Sequence, residues 1–206
     1  MMMDKINYES YIDFLEGILS PERLRHSLGV MQVMLDLSPI YSLNPEQAMI
    51  AGLLHDAAKD LSHKDQLALA KEANIQFRES CESLPIYLHA PVGAYLIGRD
   101  LNIYDSQVLG AIAAHSFSDS LENLNAPLSQ CLRFADLLAP ITMWKGMKKF
   151  KSVVYSGKAD EASLLQYGWL IEFFQEKQVP IHSNVTNQFR DLSDKIEVSG
   201  SFFDRW

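Results

Sequence analysis

The chain has 206 residues, with 18 Lys and Arg against 26 Asp and Glu, a formal net charge of −8. Its 48% hydrophobic and 21% charged residues fit a soluble globular chain of one domain, and its acidity argues against a surface for long nucleic acids, which needs broad basic charge. Two cysteines, Cys81 and Cys131, are too few for a disulfide framework, and the charges at Asp4, Lys5, Glu9, Asp13 and Glu16 exclude a secretory leader or membrane anchor over 1–18. A cytoplasmic protein without a membrane partner is the expectation.

The periodicity is helical from end to end. Residues 1–20 form an N-terminal helical segment, 21–140 the core, and 141–206 a C-terminal helical portion packing on that core, with a tail. Ser20-Pro21-Glu22 opens a helix, with Ser20 able to cap free N–H groups and Pro21 placed where its missing N–H costs nothing. Leu24, Leu28, Met31 and Leu35 share one face of it, and His26 lies on an adjoining stripe with Val30, Val33 and Leu37, which points it inward. Asn44-Pro45-Glu46 repeats the start signal for a helix through Ile50, Leu53, Leu54 and Ala57. Ser62 with Asp65 starts a segment ending near Asn74. A helix is predicted from about Pro91 through Val92, Tyr95 and Leu96, a short one over 105–115, and another over 127–139. Lys145, Lys148, Lys149 and Lys151 form a basic cluster that reads as a solvated face, and 160–177 is a strongly apolar helix. No stretch alternates at period two, so the fold class is an all-α bundle with a C-terminal helical extension.

His55-Asp56 lies in the apolar run Gly52-Leu53-Leu54-His55-Asp56-Ala57-Ala58. An ionised Asp in such a setting is costly unless paired or bound to a metal. Neighbouring helical residues diverge by about 100°, so the doublet can straddle one ion while the carboxylate reaches a second. Asp136, within Phe134-Ala135-Asp136-Leu137-Leu138, is a second inward Asp. Imidazole together with carboxylate suits iron, manganese or zinc better than calcium. Any one of these histidines alone reads as an ordinary core or surface residue; their order along the chain, each in apolar helical context, carries the signal.

Three segments carry a resemblance: Arg23-Leu24-Arg25-His26-Ser27-Leu28-Gly29-Val30, then residues 51–61 around His55-Asp56, then Leu88-His89-Ala90-Pro91-Val92-Gly93-Ala94-Tyr95-Leu96. Together with His115, Ala135-Asp136 and Pro180-Ile181-His182, they make the chain similar to HD-domain metal-dependent phosphohydrolases of the bacterial YqeK family, described as symmetrical diadenosine-tetraphosphate hydrolases. The resemblance spans about 22–190. It implies an HD-domain helical bundle and two divalent or mixed-valence metal ions, iron foremost, with manganese, zinc or magnesium as alternatives. His26, His55, Asp56 and Asp136 would hold the first ion, and His89 and His115 the second, with Asp56 bridging. It also implies hydrolysis of a nucleotide phosphoanhydride by a metal-activated hydroxide, with a small nucleotide or dinucleoside polyphosphate as partner. Asp56, Lys59 and Asp60 are then the catalytic candidates. Arg23 and Lys59 are candidate phosphate contacts, and Asp60 could orient a ligand histidine.

The chain departs from that pattern in places. His115-Ser116-Phe117-Ser118 stands where the family has His-Thr-Thr-Gly, and Ala139 and Thr142 replace a Glu and an Arg. The paired loss leaves room for an altered substrate wall, a simpler phosphomonoester or nucleotide substrate, or a non-catalytic metal- and nucleotide-binding sensor. A di-iron oxygenase is a more distant reading. The aromatic tail, Ser201 to Trp206, could dock on the body or on a second copy in a homodimer.

Overall fold

The computed structural model describes residues 8–139, 144 and 146–196. Eleven α-helices and a short 3-10 helix at Ser80–Ser83 make up the regular structure of the described residues, among which no strand occurs. The first, α1 (Tyr8–Glu16), lies against α2 (Pro21–Leu37) and α3 (Pro45–Leu54). Asn44 caps α3 by accepting the Glu46 and Gln47 N–H groups, with Pro45 behind it at the first helical position. Ser20 does not cap α2 with its hydroxyl as expected; its backbone N–H donates to Asp60 Oδ2 at 2.8 Å, so the two segments are tied through the main chain. Ser62 does cap α4 (His63–Glu72).

Two expected boundaries move. The helix α3 ends at Leu54, so His55 and Asp56 are not in its interior but in the turns that follow. The helix α5 (Pro85–Leu101) begins six residues before the expected start and carries Pro91 within it. Pro85 supplies the start signal, and the cost of Pro91 is met from outside the helix. Lacking an N–H, Pro91 cannot bond the Tyr87 carbonyl four residues back, and the Ser116 hydroxyl donates to that carbonyl at 2.7 Å instead. Ser116→Ala should therefore strand a buried acceptor and lower stability by about 1–3 kcal/mol. A urea midpoint matching the parent would contradict this account.

The chain continues through α6 (Ser106–Ala114), α7 (Leu121–Asn125), α8 (Pro127–Leu138), α9 (Met147–Tyr155), α10 (Ala159–Glu176) and α11 (Ser183–Lys195). Helices α2, α3, α6 and α8 pack on one another around a main core of Val30, Met34, Leu53, Ile112, Leu132 and Phe134. A second core beneath α10 and α11 gathers Tyr87, Phe117, Leu164, Tyr167, Phe174 and Val185. Tyr87 joins it to α5: its hydroxyl donates to the Pro180 carbonyl at 2.9 Å and accepts the His182 N–H at 3.0 Å. The lysine cluster falls mainly on α9, where Lys148 and Lys151 are exposed and Lys151 lies over the Tyr155 ring. Lys145, Thr142 and the 197–206 tail lie outside the described residues.

Candidate metal centre

Four helix ends and one helix middle converge on a single point. His26 comes from α2, His55 and Asp56 from the end of α3, His89 from the first turns of α5, His115 from the end of α6, and Asp136 from the last turn of α8. The four imidazoles are buried and Asp56 is only 2% exposed, whereas the Asp136 side chain is 36% exposed.

The rings share one arrangement. Nδ1 of His26 contacts the Ala139 carbonyl at 2.6 Å, that of His55 the Gly52 carbonyl at 2.9 Å, that of His89 the Pro85 carbonyl at 2.9 Å, and that of His115 the Ile112 carbonyl at 2.7 Å. A carbonyl can only accept, so each Nδ1 carries the proton and each Nε2 presents a lone pair inward. This is the tautomer that a metal-ligating imidazole needs.

Asp56 stands between two groups of rings. Its Oδ2 lies 3.6 Å from His55 Nε2, while its Oδ1 lies 3.3 Å from His89 Nε2 and 3.5 Å from His115 Nε2. Asp136 Oδ1 is 2.9 Å from His26 Nε2 and 3.7 Å from His55 Nε2. Two sets able to hold a cation result, His26 with His55 and Asp56, and Asp56 with His89 and His115. The donor chemistry fits a cation in each. His55 Nε2 and Asp56 Oδ1 are buried without a hydrogen-bond partner, and the facing Nε2 atoms of His89 and His115 are 2.9 Å apart. Two lone pairs at that distance repel, whereas two neighbouring ligands about 2.1 Å from one metal sit about 3 Å from each other. Lys59 supplies the nearest positive charge, its Nζ 2.9 Å from His89 Nε2 and 3.5 Å from Asp56 Oδ1.

The remaining expected residues lie at the rim. Arg23 Nη1 is 3.6 Å from Asp56 Oδ2, and its Nε is 3.7 Å from Asp60 Oδ1. The contacts of Asp60 are thus with Arg23 and the Ser20 N–H, not with a ligand histidine. Ala139 contributes through its carbonyl, a role that the residue's identity leaves unsigned in the sequence. His182 belongs elsewhere: it caps α11 and pairs with Glu82 Oε1 at 2.8 Å.

Electrostatics divide the rings. Burial, reinforced by the Lys59 charge, pushes His89 down to about 4, and burial with the neighbouring His55 lowers His115. Burial works against charge on His55 as well, but the Asp56 and Asp136 carboxylates raise it. Asp56, although desolvated, is held well below the usual carboxylate range by Lys59 and His55. A histidine with a lowered folded pKa leaves the unfolded chain to take the proton first. Stability of the metal-free protein is therefore expected to fall as pH drops from about 6.5 toward 4, with His55 offsetting part of the loss. Urea midpoints measured in chelator across that window should decline, and a flat profile would contradict the burial of neutral His89 and His115.

The fold and the sequence have known relatives. The HD domain model matches residues 23–141, more than half of the chain, and the chain belongs to the HD-domain family. It is an enzyme of the metal-dependent phosphohydrolase class. The chain is 27% identical over 193 residues to the symmetrical bis(5'-nucleosyl)-tetraphosphatase of Halalkalibacterium halodurans, covering 91% of this chain and 97% of that one. It is 23% identical to the Bacillus subtilis protein of the same name, covering 85% and 92%. A solved structure from Clostridium acetobutylicum, described as a predicted HD superfamily hydrolase involved in NAD metabolism, superposes with a TM-score of 0.81. That match is at 26% identity and covers 94% of this chain and all of that one.

Proposed function

We propose that the chain hydrolyses a dinucleoside tetraphosphate at its central anhydride, releasing two nucleoside diphosphates. In this reading His26, His55, Asp56 and Asp136 hold one divalent ion, and Asp56, His89 and His115 hold another. The observation that carries it is the Asp56 carboxylate, buried, with one oxygen turned to each group of rings. The names of the relatives at near full-length coverage support the substrate.

When bound, such ions supply an activated water and neutralise charge on the phosphoryl oxygens. The protein's own groups do the rest. Arg23, at the rim beside Asp56 and Asp60, offers planar donors to a phosphoryl oxygen, and Asp60 fixes its direction. Lys59, 26% exposed, reaches from the cluster toward solvent and can neutralise the departing diphosphate. Net acidity does not oppose a small polyphosphate: two divalent ions against Asp56 and Asp136 leave a local charge of about +2. Four imidazoles and two carboxylates make a mixed nitrogen and oxygen set that suits iron, manganese or zinc, and iron is the one the family resemblance favours.

The sensor reading loses part of its motivation here. Ala139, where the family's Glu is absent, still holds His26 through its carbonyl.

The test is turnover by the full chain loaded with iron or manganese, against diadenosine tetraphosphate, ATP and an aryl phosphomonoester. Two ADP per tetraphosphate is the expected product. ATP plus AMP would overturn the symmetric cleavage, and no turnover of any of the three by metal-loaded protein would overturn the hydrolase reading. Arg23→Met should lower kcat/KM by about 10–100-fold with metal content unchanged.

A further inference from the structure

One of the two ligand sets has a cation of the chain's own against it. Lys59 Nζ lies 2.9 Å from His89 Nε2 and 3.5 Å from Asp56 Oδ1, and Lys59 is foremost among the charges that keep Asp56 ionised. His89 Nδ1 already donates to the Pro85 carbonyl at 2.9 Å. Its Nε2 therefore has a single lone pair, directed in the ring plane, and an ammonium N–H at 2.9 Å takes it. A lone pair given to that N–H cannot at the same time be given to a metal. Lys59 and an ion bound by His89 exclude one another at this atom.

The atoms in dispute suit one ion. His89 Nε2, His115 Nε2 and Asp56 Oδ1 stand 2.9, 3.3 and 3.5 Å from one another, spacings that an ion about 2.1 Å from each can span. The other set differs. His55 Nε2 is buried with no hydrogen-bond partner, so an ion there has no ammonium to expel from it. The cation on that side, Arg23, lies 3.6 Å from Asp56 Oδ2, longer than a hydrogen bond.

Lys59 can leave without disturbing the fold. It sits in the turns after α3, where its backbone N–H donates to the Asp56 carbonyl at 2.9 Å, and its side chain is 26% exposed. A flexible four-carbon stem lets the ammonium reach water while the main chain stays in place.

We propose that Lys59 is a built-in competitor for the second metal ion: its ammonium holds the His89 and Asp56 ligand atoms and gives them up, swinging into solvent, only as a divalent ion binds. The ion held by His26, His55, Asp56 and Asp136 then loads first, and the one held by Asp56, His89 and His115 loads second and more weakly. The pair is complete only where free metal is abundant enough to expel the lysine. Expulsion frees the same ammonium to meet a departing diphosphate. The inference rests on the two-ion reading proposed above, but not on which phosphate compound is cleaved.

The test is calorimetric titration of manganese(II) into the chelator-stripped full chain and into Lys59→Met, without substrate. The parent should show two sites, the second weaker by about 10-fold or more, a factor of the size that one charge-assisted hydrogen bond carries. In Lys59→Met the second Kd should fall about 10-fold with the first unchanged. Equal tightening of both sites would mean plain removal of a charge near Asp56 and overturns the displacement, as does a second site that is unmoved or weakened. One ion per chain in both proteins overturns the two-ion reading and this inference together, whereas two ions with an unmoved second Kd overturn this inference alone. A second measurement needs no variant. Acetylation read by mass spectrometry should label Lys59 several-fold faster in protein holding two manganese ions than in protein holding one, while Lys64, exposed on α4, keeps its rate. A Lys59 rate that does not change between the two also overturns the proposal.

Discussion

Asp56→Asn is expected to reduce turnover by the metal-supplemented enzyme by at least about 10³-fold and to cut bound metal to one ion per chain or fewer. Each oxygen of this carboxylate faces a different group of imidazoles, so one substitution damages both sets at once. The amide is isosteric, but its nitrogen can only donate, and a donor aimed at inward lone pairs is no longer a ligand. The metal-free fold should survive, since the buried negative charge is not what holds the helices together. Elemental analysis beside steady-state kinetics checks this. Two ions per chain with near-parental kcat would overturn the bridging assignment.

Gly52→Ala is expected to have the largest effect on stability. A Cβ there would sit 2.8 Å from Met31 Cα and 3.0 Å from Met31 N, against the backbone of α2, and 3.1 Å from Met34 Cγ. Rigid main chain cannot give way as a flexible side chain does, so α2 and α3 must part. Overpacking of this kind costs about 3 kcal/mol, or about 10 °C in Tm for a chain of this size. The same displacement moves the Gly52 carbonyl that orients His55, and metal affinity should drop about 10–100-fold. Calorimetry of the metal-free and metal-loaded variant separates the two effects. An unchanged Tm would mean that the helix crossing is looser than described.

The residues of the centre are legible in the sequence because their chemistry is unusual for their surroundings: His26, His55, Asp56, His89, His115 and Asp136 stand in apolar stretches within helices or at their ends, and all six converge. What brings them together was harder to see. Pro85 is itself a start signal, but Pro91 six residues on reads as a helix breaker, and the donor that makes Pro91 tolerable, Ser116, is distant in sequence. Apolar periodicity continues past Leu54 to Ala57 and predicts a longer α3, although the chain turns at Leu54 to aim His55 and Asp56. Ser20 has the local pattern of a side-chain cap, but its tie is made by main chain to Asp60, a pairing that no local pattern announces.

The four Nδ1 contacts have an evolutionary consequence. Every partner is a main-chain carbonyl, at Gly52, Pro85, Ile112 and Ala139, so none of the four acceptors is a side-chain group, and Gly52 is the one position of the four where an added Cβ would press on a neighbouring helix backbone. The supporting layer of the centre is thus written in the path of the chain, beyond the reach of most point mutations. Substrate-facing side chains can change while the acceptors that orient the four rings stay where the main chain puts them.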